Sequence, residues 1–139
     1  RVMSKESALL YAFINIGLGP DGGASWLLSR QVGYSKALEI ATGGKRVMGE
    51  ECFKLGLTNK LVESDEILSV AKNWAIDLSK KPTIGIGITK QDMIFSLNND
   101  LLDTIEYEAK EQVAAFHSED LKEGVSAFLE KRKANFKGK

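Results

Sequence analysis

From residue 24 onward, apolar positions recur three and four apart, the spacing that lines one face of an α-helix, and glycines or polar clusters interrupt the pattern at intervals. Ala24, Trp26, Leu27 and Leu28 begin the first run behind the turn Pro20-Asp21-Gly22-Gly23, and Gly33 closes it. Ser35 is expected to cap a second helix that ends at Gly43-Gly44. Gly49 to Leu55 reads as a short helix stopped by Gly56, and Ser64 or Asp65 as the cap of a longer one reaching about Lys80. After Lys81-Pro82, the residues Ile84, Ile88, Met93, Phe95 and Leu97 predict a helix weakened by Gly85 and Gly87 and ended by Asn98-Asn99. A further helix spans about 101 to 117. Ser118-Glu119-Asp120 caps the last, whose Leu121, Val125, Phe128 and Leu129 form an apolar stripe ahead of a basic tail. Strand signal is confined to short pieces around Arg46 to Met48 and Lys60 to Val62, each too brief to build a sheet alone.

The fold class this pattern predicts is mostly α. With so little sheet after residue 63, the apolar faces of the later helices must find each other or another subunit, which favours an oligomer. At 139 residues and 43% hydrophobic content the chain suffices for one core of ordinary domain size. Lys plus Arg equals Asp plus Glu at 19 each, so no overall field draws it to nucleic acid or to an anionic membrane. Any anion site must be local. No apolar run approaches the roughly twenty residues that span a bilayer, and no membrane partner is expected. Cys52 is the single cysteine, so no internal disulfide forms and a small buried hydrophobe is its ordinary use. Arg1-Val2-Met3 opens with neither an initiator Met nor a signal, so the chain is expected to be truncated, with any targeting signal in the absent part. A cytoplasmic location is the expectation for a bacterial source.

Few residues suggest chemistry by themselves. Asp21 in a Pro-Asp-Gly turn at a helix start is a common cap, and the same carboxyl at the mouth of an apolar helix is a candidate proton carrier. Trp26 and Phe13 flank that turn and would line a pocket, although an aromatic one turn into an amphipathic helix is more often plain core. Gly85-Ile86-Gly87 lacks the third glycine and the preceding strand of a dinucleotide loop. His117 is the lone histidine, without a metal or base partner, and reads as a helix-end residue; Cys52 has no adjacent His to activate it. No metal site is expected. For Lys131, Arg132 and Lys133 the plain reading is a solvated basic helix end that complements the helix dipole.

Three stretches share a resemblance. FINIGLGPDGGASWLLSRQVGYSKALEIATGGKRVMGEECFKLGLTNKLV contains a G-L-x-P turn, a glycine-led helix, G-x-x-x-A-x-E, and then Gly56-Leu57 followed by Val62. EGVSAFLEKRKANFKGK resembles E-G-x-x-A-F-x-x-K-R-x-x-x-F, and PTIGIGITKQ lies between the two. In that order they are similar to the C-terminal half of the crotonase (enoyl-CoA hydratase/isomerase) superfamily. The resemblance is greatest to the subgroup of 1,2-epoxyphenylacetyl-CoA and Δ3,Δ2-enoyl-CoA isomerases, because of Pro20-Asp21-Gly22-Gly23. Hydratases carry a Pro-Glu pair where this chain has Ala12-Phe13, which counts against hydration.

The resemblance implies the C-terminal half of a crotonase-like α/β spiral fold, with residues 1–63 the end of the spiral core and 64–139 a helical oligomerisation region. It implies an acyl-CoA substrate, no cofactor beyond the coenzyme A of that substrate, and assembly as a homotrimer or hexamer. Asp21 would be the acid that shuttles a proton beside the thioester, and Lys131 the lysine that reaches the phosphate-bearing end of coenzyme A. An adenine contact near Gln112, aromatic in hydratases, is not supported here. The enolate-holding N–H pair would come from the missing N-terminal half, so this piece alone should be inactive. Two alternatives stay open: a hydratase or hydrolase relative, and a non-catalytic helical assembly module.

Overall fold

A computed structural model describes all 139 residues, which divide into two compact units, Arg1–Lys72 and Asn73–Lys139. The division falls inside one helix, nine residues beyond the boundary expected after residue 63.

The first unit contains two two-stranded ribbons. Strand β1 (Val2–Ser4) pairs in parallel with β4 (Lys60–Val62), Val2 opposite Lys60, and β2 (Ala8–Leu10) pairs antiparallel with β3 (Arg46–Met48), Ala8 opposite Met48. The short pieces expected at 46–48 and 60–62 therefore each find a partner. Those partners, β1 and β2, carry no sequence signal of their own because three residues are too few to display an alternating pattern.

A 3₁₀ turn (Phe13–Ile16) and helices α1 (Ala24–Val32) and α2 (Tyr34–Gly43) connect β2 to β3, and α3 (Gly49–Lys54) connects β3 to β4. Leu28, Ala37, Ile40, Cys52 and Leu57 form the core, with Met3, Leu9, Val32 and Val47 packed against it. Leu28 is only 3% exposed, and burying a leucine of that kind stabilises by about 1.5–3 kcal/mol. Cys52 is fully buried and its thiol donates to the Val47 carbonyl at 3.3 Å, so it serves as the small buried residue expected. Glu50 and Glu51 in the first turn of α3 and Lys54 in its last complement the helix dipole. Gly49 admits no side chain: a Cβ there would overlap the Ser4 carbonyl, while its N–H donates to the Ser7 carbonyl at 2.8 Å.

Two expected caps are corrected. Helix α2 begins at Tyr34 with Gly33 as its N-cap and no side-chain cap bond, so Ser35 lies within the first turn. The cap before the longer helix is Glu63, in extended backbone, whose side chain accepts from the Glu66 N–H while Glu66 accepts from the Glu63 N–H at 3.2 Å. Ser64 and Asp65 lie within the resulting 3₁₀ turn, and α4 (Ile67–Ser79) follows. A glutamate at the cap position satisfies the same two donors that a Ser-led capping box would.

The second unit is helical: α5 (Thr83–Ser96), α6 (Leu101–Phe116) and α7 (Glu119–Leu129). Phe95 of α5 stacks on Tyr107 of α6 with ring centroids 4.0 Å apart. Asp100 caps α6 by accepting from the Asp103 N–H at 3.0 Å, and Ser118 caps α7, as expected, by accepting from the Leu121 N–H at 3.0 Å. The apolar stripe on α7 faces out: Phe128 is 83% and Leu129 73% exposed.

The tail after α7 folds back along that helix. The buried Asp120 carboxylate accepts from the N–H groups of Lys137 at 2.7 Å and Gly138 at 2.8 Å, and the Asp120 N–H donates to the Lys139 carbonyl. Arg132 lies beyond the helix, bridging Glu123 at 2.7 Å and Glu130 at 2.6 Å, so it is paired rather than a freely solvated helix-end cation. No helix in the chain is long and apolar enough to cross a membrane.

Candidate functional site

Asp21 sits on the loop that joins the 3₁₀ turn to α1. Gly22 (φ 58) and Gly23 (φ 79) adopt the left-handed backbone that turns the chain into the helix, with Gly23 as N-cap, and the Ala24 N–H donates to the Asp21 carbonyl oxygen at 2.9 Å. The carboxylate itself is exposed and makes no capping bond, hydrogen bond or ion pair. The capping role open to it on sequence grounds is therefore not the one it plays. A carboxylate without a partner, near the N-terminal end of a helix, is free to exchange a proton with a bound molecule.

Beside this loop lies a cavity of about 610 Å³ between the 3₁₀ turn, α1 and α2. Trp26 and Pro20 form part of its wall, with Tyr11, Ile14, Leu18 and Tyr34. Its lining is dominated by apolar and aromatic groups, the composition of small-molecule sites. Arg30 lies 3.9 Å over the Trp26 ring, a cation–π contact that holds the indole in place. Phe13 faces elsewhere: it meets the Tyr11 ring edge-on at 6.4 Å and is not part of the wall. Tyr11, Ile14 and Tyr34 were not singled out from the sequence; an aromatic at the first position of α2 was the one available signal.

Lys131 belongs to the second unit. It occupies the left-handed conformation (φ 53) just past α7, the sole non-glycine to do so, and its N–H donates to the Phe128 carbonyl at 3.2 Å. Its ammonium is exposed and forms no ion pair, unlike that of its neighbour Arg132. Pairing with Arg132 first, and then with the Asn135 N–H, holds Glu123 down to about 2, while the bonds to Glu123 and then to Glu130 raise the Arg132 guanidinium above its ordinary range. Gln112 is exposed on α6 and borders a separate cavity of about 740 Å³ with Lys90 and Met93. His117 is the exposed C-cap of α6, and no group of three or more His, Cys, Asp or Glu side chains is placed to hold a metal ion.

The first unit thus carries one unpartnered carboxylate, Asp21, next in the chain to Pro20 of an apolar cavity with an aromatic wall, a wall that Asp21 itself does not line. That combination suits proton transfer on a largely apolar substrate.

Comparison with known proteins identifies the family. The enoyl-CoA hydratase/isomerase family model matches residues 1–139. A 1,2-epoxyphenylacetyl-CoA isomerase of Escherichia coli is 33% identical over 99% of this chain and 53% of its own length. A crotonyl-CoA hydratase of Syntrophomonas wolfei is 32% identical over 88% of this chain and 47% of its own. The crystal structure of an enoyl-CoA hydratase from Mycobacterium tuberculosis superposes with a TM-score of 0.91 at 28% identity, covering 99% of this chain and 55% of that one. The chain spans about half the length of the curated relatives it matches.

Proposed function

This chain belongs to the enoyl-CoA hydratase/isomerase family, and from that premise we propose that it is the proton-shuttling half of an acyl-CoA isomerase, with Asp21 as the shuttle. The observation that carries the proposal is the Asp21 carboxylate, exposed and bonded to nothing, on the residue that follows Pro20 of the cavity wall. Relatives of both kinds, isomerase and hydratase, match at similar identity, so the assignment rests on the residues of this chain.

Moving a double bond requires one base that removes a proton and returns it as an acid, whereas adding water suits two acids. With a 3-enoyl-CoA, Asp21 takes the proton from the carbon between the thioester and the double bond. The electron pair left behind delocalises into a dienolate. The same carboxyl then returns the proton two carbons further on, and the double bond emerges in conjugation with the thioester. Epoxide-ring isomerisation is the related reaction on a cyclic acyl group. Nothing beyond the coenzyme A of the substrate is needed as a carrier.

The dienolate oxygen would be held by two backbone N–H groups from an N-terminal half outside this chain, which would complete the site. Lys131, an unpaired cation on a flexible stem, would reach the phosphate-bearing end of coenzyme A. Phe128 and Leu129 would be covered on assembly into a trimer or hexamer. The test is made on the full-length protein: a 3-enoyl-CoA is followed by ultraviolet absorbance for appearance of the conjugated 2-enoyl-CoA, and a 2-enoyl-CoA for loss of that absorbance through hydration. The first signal without the second supports the isomerase; the second without the first turns the assignment to a hydratase. Neither, in a protein that self-associates but does not bind acyl-CoA, makes it an assembly module.

A further inference from the structure

We infer that Asn15 is a positioning residue for Asp21, an inference that rests on Asp21 being the proton carrier. No N–H group of residues 19–23 is hydrogen-bonded to the protein, so the loop that carries Asp21 is placed by its two ends. The downstream end is α1, fixed through Leu28 in the same core as Ala37 and Ile40 of α2. At the upstream end the Leu18 N–H donates to the Phe13 carbonyl at 2.9 Å and the Gly17 N–H to the Ile14 carbonyl at 3.1 Å, which bind the loop to the 3₁₀ turn.

The turn makes one side-chain hydrogen bond to the rest of the unit: the Asn15 amide nitrogen donates to the Gly44 carbonyl at 2.9 Å. Gly44 is the C-cap of α2, where carbonyls lack helical partners and an N–H donor is favoured. The fit is close on both polar atoms of the amide, because a Cβ at Gly44 (φ 57) would overlap the Asn15 side chain. Ile16 is exposed, and Ile14, though it lies close to Gly44, is half exposed and offers no donor to the Gly44 carbonyl. Helix α2 is thus the common reference for both ends of the loop: the core fixes one and Asn15 the other. An exposed hydrogen bond of this kind contributes little to global stability. Its effect falls on the placement of the carboxylate, and a misplacement of about 1 Å costs proton transfer up to about 100-fold.

The test uses the full-length protein and three substitutions: Asn15→Asp, which keeps the shape but sets a carboxylate against the Gly44 carbonyl, Asn15→Ala, and Asn15→Ser, the mildest. The expected result is a fall in kcat of about 10- to 100-fold, with KM for the 3-enoyl-CoA within about twofold and the melting temperature nearly unchanged. Adding Asn15→Asp to Asp21→Asn should lower the residual rate no further. An unchanged kcat, an effect confined to KM, a further loss in the double variant, or unfolding by all three substitutions would each overturn the positioning role alone. Full activity in Asp21→Asn overturns both this inference and the assignment beneath it, and so tells the two failures apart.

Discussion

In the first unit Asp21 stands on a loop between glycines with no partner for its carboxylate, while Leu28, Cys52 and their neighbours hold the surrounding elements in an apolar core. In the second, Asp120 and Glu123 are both engaged, accepting backbone N–H groups and Arg132 to bind the tail along α7, and the apolar stripe of that helix lies open. The difference teaches where to look for chemistry. A carboxylate whose bonds are all made is doing structural work, and one left unbonded beside a cavity is available to a substrate. The same contrast separates two cations adjacent in the chain: Arg132 is consumed by Glu123 and Glu130, and Lys131 is not.

The contrast can be tested by substitution. The largest stability effect is expected for Leu28→Ala, about 2–5 kcal/mol by chemical denaturation, because a well-packed site closes poorly around the cavity left behind. Asp120→Ala should cost about 1–3 kcal/mol by leaving the Lys137 and Gly138 N–H groups unpaired, while leaving kcat of the full-length protein with the 3-enoyl-CoA within about twofold. An Asp120 variant that folds normally but loses turnover would break the division between structural and chemical carboxylates. The smallest effect is one of pH. Glu123 is held at about 2, below its ordinary 4.5, so its contribution to the clamp is complete above about 4.5 and is lost as the pH falls toward 2. Protection of the Asn135 amide from exchange, taken relative to the intrinsic rate at each pH, should fall as the pH drops across that window, and Glu123→Gln should show lower protection at neutral pH with that dependence removed.

Much of the helical framework is legible in the sequence because glycines and polar caps punctuate it. Gly33 and Gly56 end helices where expected, and Ser118 caps α7 through its own side chain. The expected caps Ser35 and Ser64 fail because another residue takes the cap position: Gly33, two residues ahead of Ser35, and Glu63, one ahead of Ser64. Strands β1 and β2 escape notice because each is three residues long and is defined by a partner far along the chain. Asp21 and Trp26 were reached from the PDGGASW motif, which is local. Tyr11, Tyr34 and the tie from Asn15 to Gly44 were not, since each depends on which residues the fold brings together across a long stretch of chain.

The central claim is tested most directly by turnover of a 3-enoyl-CoA by the full-length protein and its Asp21→Asn variant. The account predicts a variant that folds, binds acyl-CoA as before and loses kcat by about 100- to 10,000-fold. Unchanged kcat in a folded variant would contradict it, and would return Asp21 to a place in the turn with no part in the reaction.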